Sequence, residues 1–270
     1  MGNSFSDTYI KVFANRSVWI EDAAIQQLHT TAANLDGIRA AVGLPDLHPG
    51  RGYPVGAAFF STGHFYPALV GGDIGCGMSL YATDLAVHKT SGVRLEKAVG
   101  NIDGPLPQEL LETVDMEQLQ QIAQTSGVAD PAYLLQSLGT IGGGNHFAEL
   151  QQVETLYEEG ALDKKRVHLM VHSGSRGLGG AILREHVQRF SHDGLAAGSE
   201  AARQYLLQHD AAIDYAQLNR RSIAQRLLRA IRTQGEAVLD ITHNHVQPHH
   251  WQGQDGFLHR KGATPADRGL

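Results

Sequence analysis

The chain has 270 residues, 42% apolar and 19% charged, enough to bury a sizeable core as one large domain or two small ones. Asp and Glu number 28 against 22 Lys and Arg, so the formal charge of −6 excludes an overall basic field for nucleic acid, although a local basic patch is enough to bind one. No apolar run reaches the roughly 18 residues of a membrane span, residues 1–10 carry no signal-peptide pattern, and a single cysteine suits a reducing compartment, so a cytoplasmic protein without a membrane partner is expected.

Residues 9–14 read as a short strand. Residues 21–33 read as a helix, with Ala24, Ile25, Leu28 and Ala32 in helical spacing behind Glu21 and Asp22. A strand over 38–44 runs into a Pro- and Gly-rich segment, 45–52, that reads as a rigid loop. Residues 53–61 and 66–70 are apolar and β-rich, which predicts a hairpin leading into a glycine-rich turn; 79–85 is the strand leaving it. Residues 91–131 are more polar and hold one predicted helix, 108–124, read as a helical insertion over the sheet. A second glycine-rich turn, 139–146, precedes a strand from Phe147, and a buried strand, 167–172, leads to a third turn, 173–179, and a helix to about Phe190. Residues 199–232 read as two helices joined near Asp210. Their Arg220, Arg221, Arg226, Arg229 and Arg232 form a basic face, read first as a solvated helix surface. Residues 237–242 are the last predicted strand, ending at His243-Asn244-His245.

The first turn, Gly71-Gly72-Asp73-Ile74-Gly75-Cys76-Gly77-Met78, holds the only cysteine among four glycines. Glycine in a regular element costs about 0.5–1 kcal/mol relative to alanine. Four of them mark a sharp turn or a close approach to something bound. Cys76 alone reads either as a buried packing residue or as a thiolate. Asp73, Cys76, His146, His172 and His243 each fall at or beside a predicted strand end, in or next to a turn. One carboxylate, one thiolate and three imidazoles favour a borderline transition metal such as Mn, Co or Zn over Mg or Ca. Five ligands exceed one tetrahedral site, and two metals sharing the thiolate would clamp a phosphoryl group. Residues 142–145 and 173–177 offer backbone N–H groups to phosphate, and Arg176 can fork onto one.

The stretches Pro45-Asp46-Leu47-His48-Pro49-Gly50, Gly72-Asp73-Ile74-Gly75-Cys76-Gly77-Met78, GGGNHFAE at 142–149, HSGSRG at 172–177 and His243-Asn244 resemble, in order, the RtcB family of GTP-dependent RNA ligases. The resemblance covers roughly residues 40–270. It implies an α+β fold of the family's own kind, with a mixed β-sheet core, helices and the helical insertion, in a single domain over 1–270. It implies two Mn(II) ions held by Asp73, Cys76, His146, His172 and His243, with Cys76 bridging. It places Asn145 on the GTP phosphates, Glu149, His243 and Asn244 as nucleotide contacts, and Arg176 and Lys261 toward RNA or nucleotide phosphates, with Asn145, Arg176 and Lys261 as catalytic candidates.

The family joins RNA 2′,3′-cyclic phosphate or 3′-phosphate ends to 5′-hydroxyl ends, in RNA repair or tRNA splicing, through a guanylylated histidine in a His-Gly-Ala-Gly-Arg motif. That motif is not found in the 270 residues. The expectation is therefore an RNA ligase of the family, with the given chain either C-terminally truncated or completed by a second polypeptide. The alternative is a metal-dependent phosphoesterase or a metal- and RNA-binding remnant.

Overall fold

A computed structural model describes residues 8–15, 17–100, 102, 104–127, 131–157 and 160–266. The strands are β1 (Tyr9–Val12), β2 (Ile38–His48), β3 (Val55–Ser61), β4 (His64–Phe65), β5 (Gly77–Ala86), β6 (Phe147–Gln152), β7 (Arg166–Ser173), β8 (Leu195–Ala196), β9 (Gly235–Thr242), β10 (His245–Trp251) and β11 (Gln254–Lys261). The α-helices are α1 (Asp22–Asn34), α2 (Pro67–Val70), α3 (Gly92–Val99), α4 (Gln108–Leu111), α5 (Met116–Ser126), α6 (Pro131–Leu135), α7 (Gly177–Phe190) and α8 (Glu200–Ala230). The fold is α+β, as expected. Among the described residues no helix is long and apolar enough to cross a membrane.

The described chain clusters into two compact units. The first takes residues 8 to Ile74, Gly179–His209 and His243–Pro265; the second takes Gly75–Leu178 and Asp210–Thr242. The first unit holds a mixed five-stranded sheet, order β1-β2-β3-β11-β10, in which only β1 and β2 run parallel. Parallel neighbours need a crossover, and α1 supplies it. The helix lays Ala24, Leu28 and Ala32, spaced four apart, on Ala41, Ala57 and Phe59 of one sheet face.

The second unit holds an antiparallel sheet, order β6-β7-β5-β9, with β7 and β5 central. Ile223, Ala224, Leu227 and Leu228 of α8 pack on Tyr81, Leu169 and Val171 of that sheet. Helix and first turn meet closely at Gly75, which has φ +79°; a Cβ there would lie 2.8 Å from Ala216 Cβ and 3.0 Å from Ile213 Cα. Gly75→Ala combines left-handed strain with this overlap and should cost about 2 kcal/mol. Urea unfolding checks it, and a loss under 0.5 kcal/mol (roughly the size of an ordinary surface change) would show that the turn yields.

Several sequence expectations are corrected. The strand from Ile38 does not stop at 44: β2 runs through Pro45 to His48, with an irregularity between Gly43 and His48 that absorbs the proline. Residues 66–70 are not the second arm of a hairpin. Pro67 sits at the first helical position of α2, where a missing N–H costs nothing, and Gly71 at φ +84° stops the turn. The helix predicted over 108–124 is two, because Asp115 caps α5 by accepting from Gln118 N at 2.9 Å. The two helices predicted over 199–232 are one, since no glycine or proline interrupts α8. The strand over 237–242 is not the last: β10 and β11 follow as a hairpin through Gln252 and Gly253, both at positive φ.

Candidate metal centre

The three glycine-rich turns deliver their side chains through strand ends of the second unit. Cys76 immediately precedes β5, and Gly77 pairs with Ser173 on one side and Thr242 on the other. A Cβ on Gly77 would lie 2.3 Å from Ile241 O, so only glycine allows β9 this close to the thiol. His172 pairs with Met78 and Phe147 near the end of β7, and His146 directly precedes β6. Cys76 and His172 are buried, and His146 is half-buried.

Cys76 Sγ lies 3.2 Å from His172 Nε2 and 3.4 Å from His146 Nε2. Each imidazole has its far nitrogen on a backbone carbonyl: His172 Nδ1 on Asn145 O at 2.9 Å, His146 Nδ1 on Ile141 O at 3.1 Å. A carbonyl only accepts, so both Nδ1 atoms carry the proton and both Nε2 lone pairs face the sulfur. The Arg176 guanidinium also approaches His146 Nδ1, at 3.4 Å; the shorter carbonyl contact decides the tautomer. One thiol proton can serve only one of two lone pairs, whereas cations sharing the sulfur could take both, since Cys76 falls with His172 in one possible ligand set and with His146 in another. Sulfur and nitrogen bound to one zinc-like ion, about 2.3 and 2.05 Å away, stand roughly 3.1–3.6 Å apart for right-angle to tetrahedral geometry. Both observed separations fall in that interval, and the locked Nδ1–H groups are the outer contacts that metal-bound histidines use. The residues fit a metal.

The remaining candidates divide between the units. Arg176, at φ +57°, donates through Nε to Thr140 Oγ1 at 3.3 Å and lies flat on Gly142, where a Cβ would overlap its guanidinium. The Asn145 side chain is exposed, and exposed Glu149 on β6 accepts from Gln151 Nε2 at 2.6 Å. Asp73, His243, Asn244 and Lys261 belong to the first unit. There Asn244 Nδ2 donates to Asp73 O at 3.2 Å, and Asn244 Oδ1 accepts from Gly262 N at 2.6 Å. His243 O accepts from Ala263 N at 3.1 Å. The Lys261 ammonium lies against Gly71, and burial pushes its pKa down.

Two adjacent residues of α8 escaped the sequence reading. Arg220, read there as part of a solvated face, is wholly buried; its Nη1 donates to Gly75 O at 2.8 Å and Ser173 O at 2.9 Å, and its Nε to Asp240 Oδ2 at 3.0 Å. Asn219 Oδ1 accepts from Gly139 N at 2.7 Å, while its Nδ2 donates to Thr140 O at 3.2 Å and Ser173 Oγ at 3.1 Å. Together they hold all three turns. Arg226 of the same presumed face also turns inward, its Nη1 donating to Gly104 O at 2.7 Å. The signal available was an aspartate, Asp240, in an otherwise apolar strand sequence.

One buried thiol and two imidazoles, set on three glycine-rich turns of an α+β protein, offer the donors of a candidate metal site. The family model for "tRNA-splicing ligase RtcB" matches residues 27–133 and 108–269. The chain is 49% identical over 262 residues to RNA-splicing ligase RtcB2 of Escherichia coli ATCC 25922, covering 95% of this chain and 66% of that protein. It is 28% identical to RNA-splicing ligase RtcB of E. coli K12, over 94% of this chain and 71% of that one. It is also 28% identical to RNA-splicing ligase RtcB of Mycobacterium tuberculosis, over 86% and 70%. The chain belongs to the RtcB family. It spans just under two thirds of the length of the RtcB2 relative.

Proposed function

We propose that this chain carries the metal centre of a cytoplasmic, GTP-dependent RNA ligase that joins 2′,3′-cyclic phosphate or 3′-phosphate ends to 5′-hydroxyl ends. The observation that carries the reading is Cys76 Sγ between two Nε2 atoms whose tautomers are fixed by backbone carbonyls. Cys76, His146 and His172 are the second unit's share of the groups able to hold a metal. Asp73 and His243 join the ligand set by chain continuity. Asp73 stands three residues before Cys76, and His243 follows Thr242, the strand partner of Gly77. Two Mn(II) ions bound there would supply charge neutralisation at the joined phosphate and polarise its phosphorus.

The candidate side chains of each unit suit that work. The two Nδ1–H···O bonds hold the imidazoles in their metal-binding orientation. Arg176, laid on Gly142 at the edge of the centre, offers a planar fork to a phosphate oxygen. Lys261 offers a point charge whose partial burial strengthens its pull on an anion. Asn145 and Glu149, both exposed, are free to meet a nucleotide, as is Asn244 beyond its backbone contacts, with GTP the nucleotide that the family resemblance supplies.

Loading with Co(II) tests the centre. A thiolate-to-cobalt charge-transfer band is expected, Cys76→Ala should abolish it together with bound Mn(II), and His172→Ala and His243→Ala should each lower metal content. Full metal retention in Cys76→Ala would remove the bridging thiolate. Incubation with Mn(II), GTP and RNA bearing 3′-phosphate and 5′-hydroxyl ends tests the reaction. The His-Gly-Ala-Gly-Arg motif is missing from the sequence. Phosphate release without joining would therefore favour the phosphoesterase reading.

A further inference from the structure

The sheet of the first unit has two faces of different character. One is covered by α1. The other presents, by strand alternation, Tyr9, Lys11 and Phe13 from β1 and the residues just after it, Phe60 from β3, Leu258 from β11, and His249 and Trp251 from β10. All of these but Lys11 line an open groove of about 480 Å³. Its floor is Phe60, and its walls are Trp251 (ring centroid 5.6 Å from Phe60), His249 (6.1 Å from Phe60) and Tyr9 (6.2 Å from Trp251). Tyr9 and Phe13 are 43% and 47% exposed. Phe60 and Ala40 are buried beneath them and Trp251 is half-buried. Exposed aromatic side chains grouped at one groove in a folded protein mark a binding surface.

The charge around the groove selects the occupant. None of the ten lining residues is a carboxylate, although the chain carries 28 acidic residues against 22 basic ones. Lys11, exposed on the same face, stands with its ammonium 4.4 Å from the Phe13 ring. Exposed aromatic rings with flanking cations on a β-sheet are what splayed, unpaired bases stack on while the phosphates meet the cations. A folded protein partner would need no such exclusion of carboxylates.

We propose that this face is a stacking platform for single-stranded RNA, separate from the metal centre, with Trp251 and Tyr9 meeting bases over the Phe60 floor and Lys11 the backbone. The choice of RNA over other single strands rests on the ligase reading. The platform would hold a length of substrate away from the ends being joined, so that affinity does not depend on the chemistry of those ends.

The test uses the full chain, an excess of chelator, and a 12-nucleotide RNA with 5′-phosphate and 3′-hydroxyl ends, which the proposed reaction cannot join. In a Trp19→Phe background, titration should quench Trp251 fluorescence. Trp251→Leu, which keeps the apolar contact and loses the π-face, and Tyr9→Ala should each weaken binding about tenfold. Cys76→Ala should bind as the parent does, and a duplex of the same sequence should bind less well. Unquenched Trp251, or unchanged RNA affinity in both aromatic variants, would overturn the proposal. So would a concentration-dependent dimer that Trp251→Leu dissolves without altering RNA affinity, because the occupant would then be a second copy. Equal affinity for DNA of the same sequence would overturn its restriction to RNA. With the metal chelated and the ends inert, a negative result leaves the metal centre standing, and a failed joining assay leaves the platform standing.

Discussion

Arg220→Met should lower the unfolding free energy of the second unit by about 3–5 kcal/mol, the range for stranding one partner of a buried ion pair. The methionine fills similar space, so the loss isolates the guanidinium. Without it, the Asp240 carboxylate and the carbonyls of Gly75 and Ser173 lose their donors together. Asp240 keeps 31% exposure, and water solvating that carboxylate should hold the effect toward the lower end. Arg220→Lys retains the charge but not the fork, and should recover less than half of the loss. Because Gly75 and Ser173 adjoin Cys76 and His172, metal affinity should fall along with stability. Urea unfolding with and without Mn(II) reads both quantities. A loss below 1 kcal/mol (a typical single hydrogen bond) would mean that the turns hold themselves.

Acid should weaken the first unit through His259. This histidine is buried between Tyr66 N, which donates to Nε2 at 2.9 Å, and Phe59 O, which accepts from Nδ1 at 3.1 Å. Burial pushes its pKa down to about 4 from 6.5. In the folded state it stays neutral below pH 6.5 while the unfolded chain takes up a proton. The stability it confers is whole above pH 6.5 and is lost as pH falls toward 4, by about 3 kcal/mol between pH 7 and pH 4. His186, whose pKa burial also lowers, adds in the same direction. His259→Gln, which cannot titrate, should be less stable at pH 7 and should flatten this part of the profile. An unchanged slope in that variant would assign the acid sensitivity to other groups.

The clustering of Cys76, His146 and His172 in the candidate centre was legible because their chemistry and their backbone requirements coincide. Cys76, His146 and His172 each stand beside glycines at a strand end, so composition, turn and ligand type point the same way. Arg220 was not legible, because five arginines in one helical stretch look alike until a partner is known, and Asp240 lies on a strand twenty positions on. Arg221 and Arg229 are exposed as that reading expected, while Arg220 and Arg226 turn inward. The hairpin of β10 and β11 was hidden by Pro248 and by the histidines around it, which are uncommon in strands. Its alternation and the Gln252-Gly253 turn were present in the sequence. At residues 66–70 the apolar content outweighed Pro67, whose place at a helix start was the better local signal.

The register of β3 carries a consequence for how the protein is made. Strands β1, β2 and β3, with α1, are contiguous and can assemble early, but the other edge of β3 pairs with β11, where Ser61 waits for Phe257. Loop length itself adds little to the free energy, about 0.6 kcal/mol per doubling. The delay matters more. At ribosomal speed the intervening chain takes roughly 10–40 s to emerge, and throughout that interval β3 offers Ala57, Phe59 and Phe60 on an open backbone edge, a template for pairing with neighbouring chains. The yield of native protein from the ribosome should therefore depend on chaperones that cover this edge, and refolding from urea should lose material to aggregation as concentration rises.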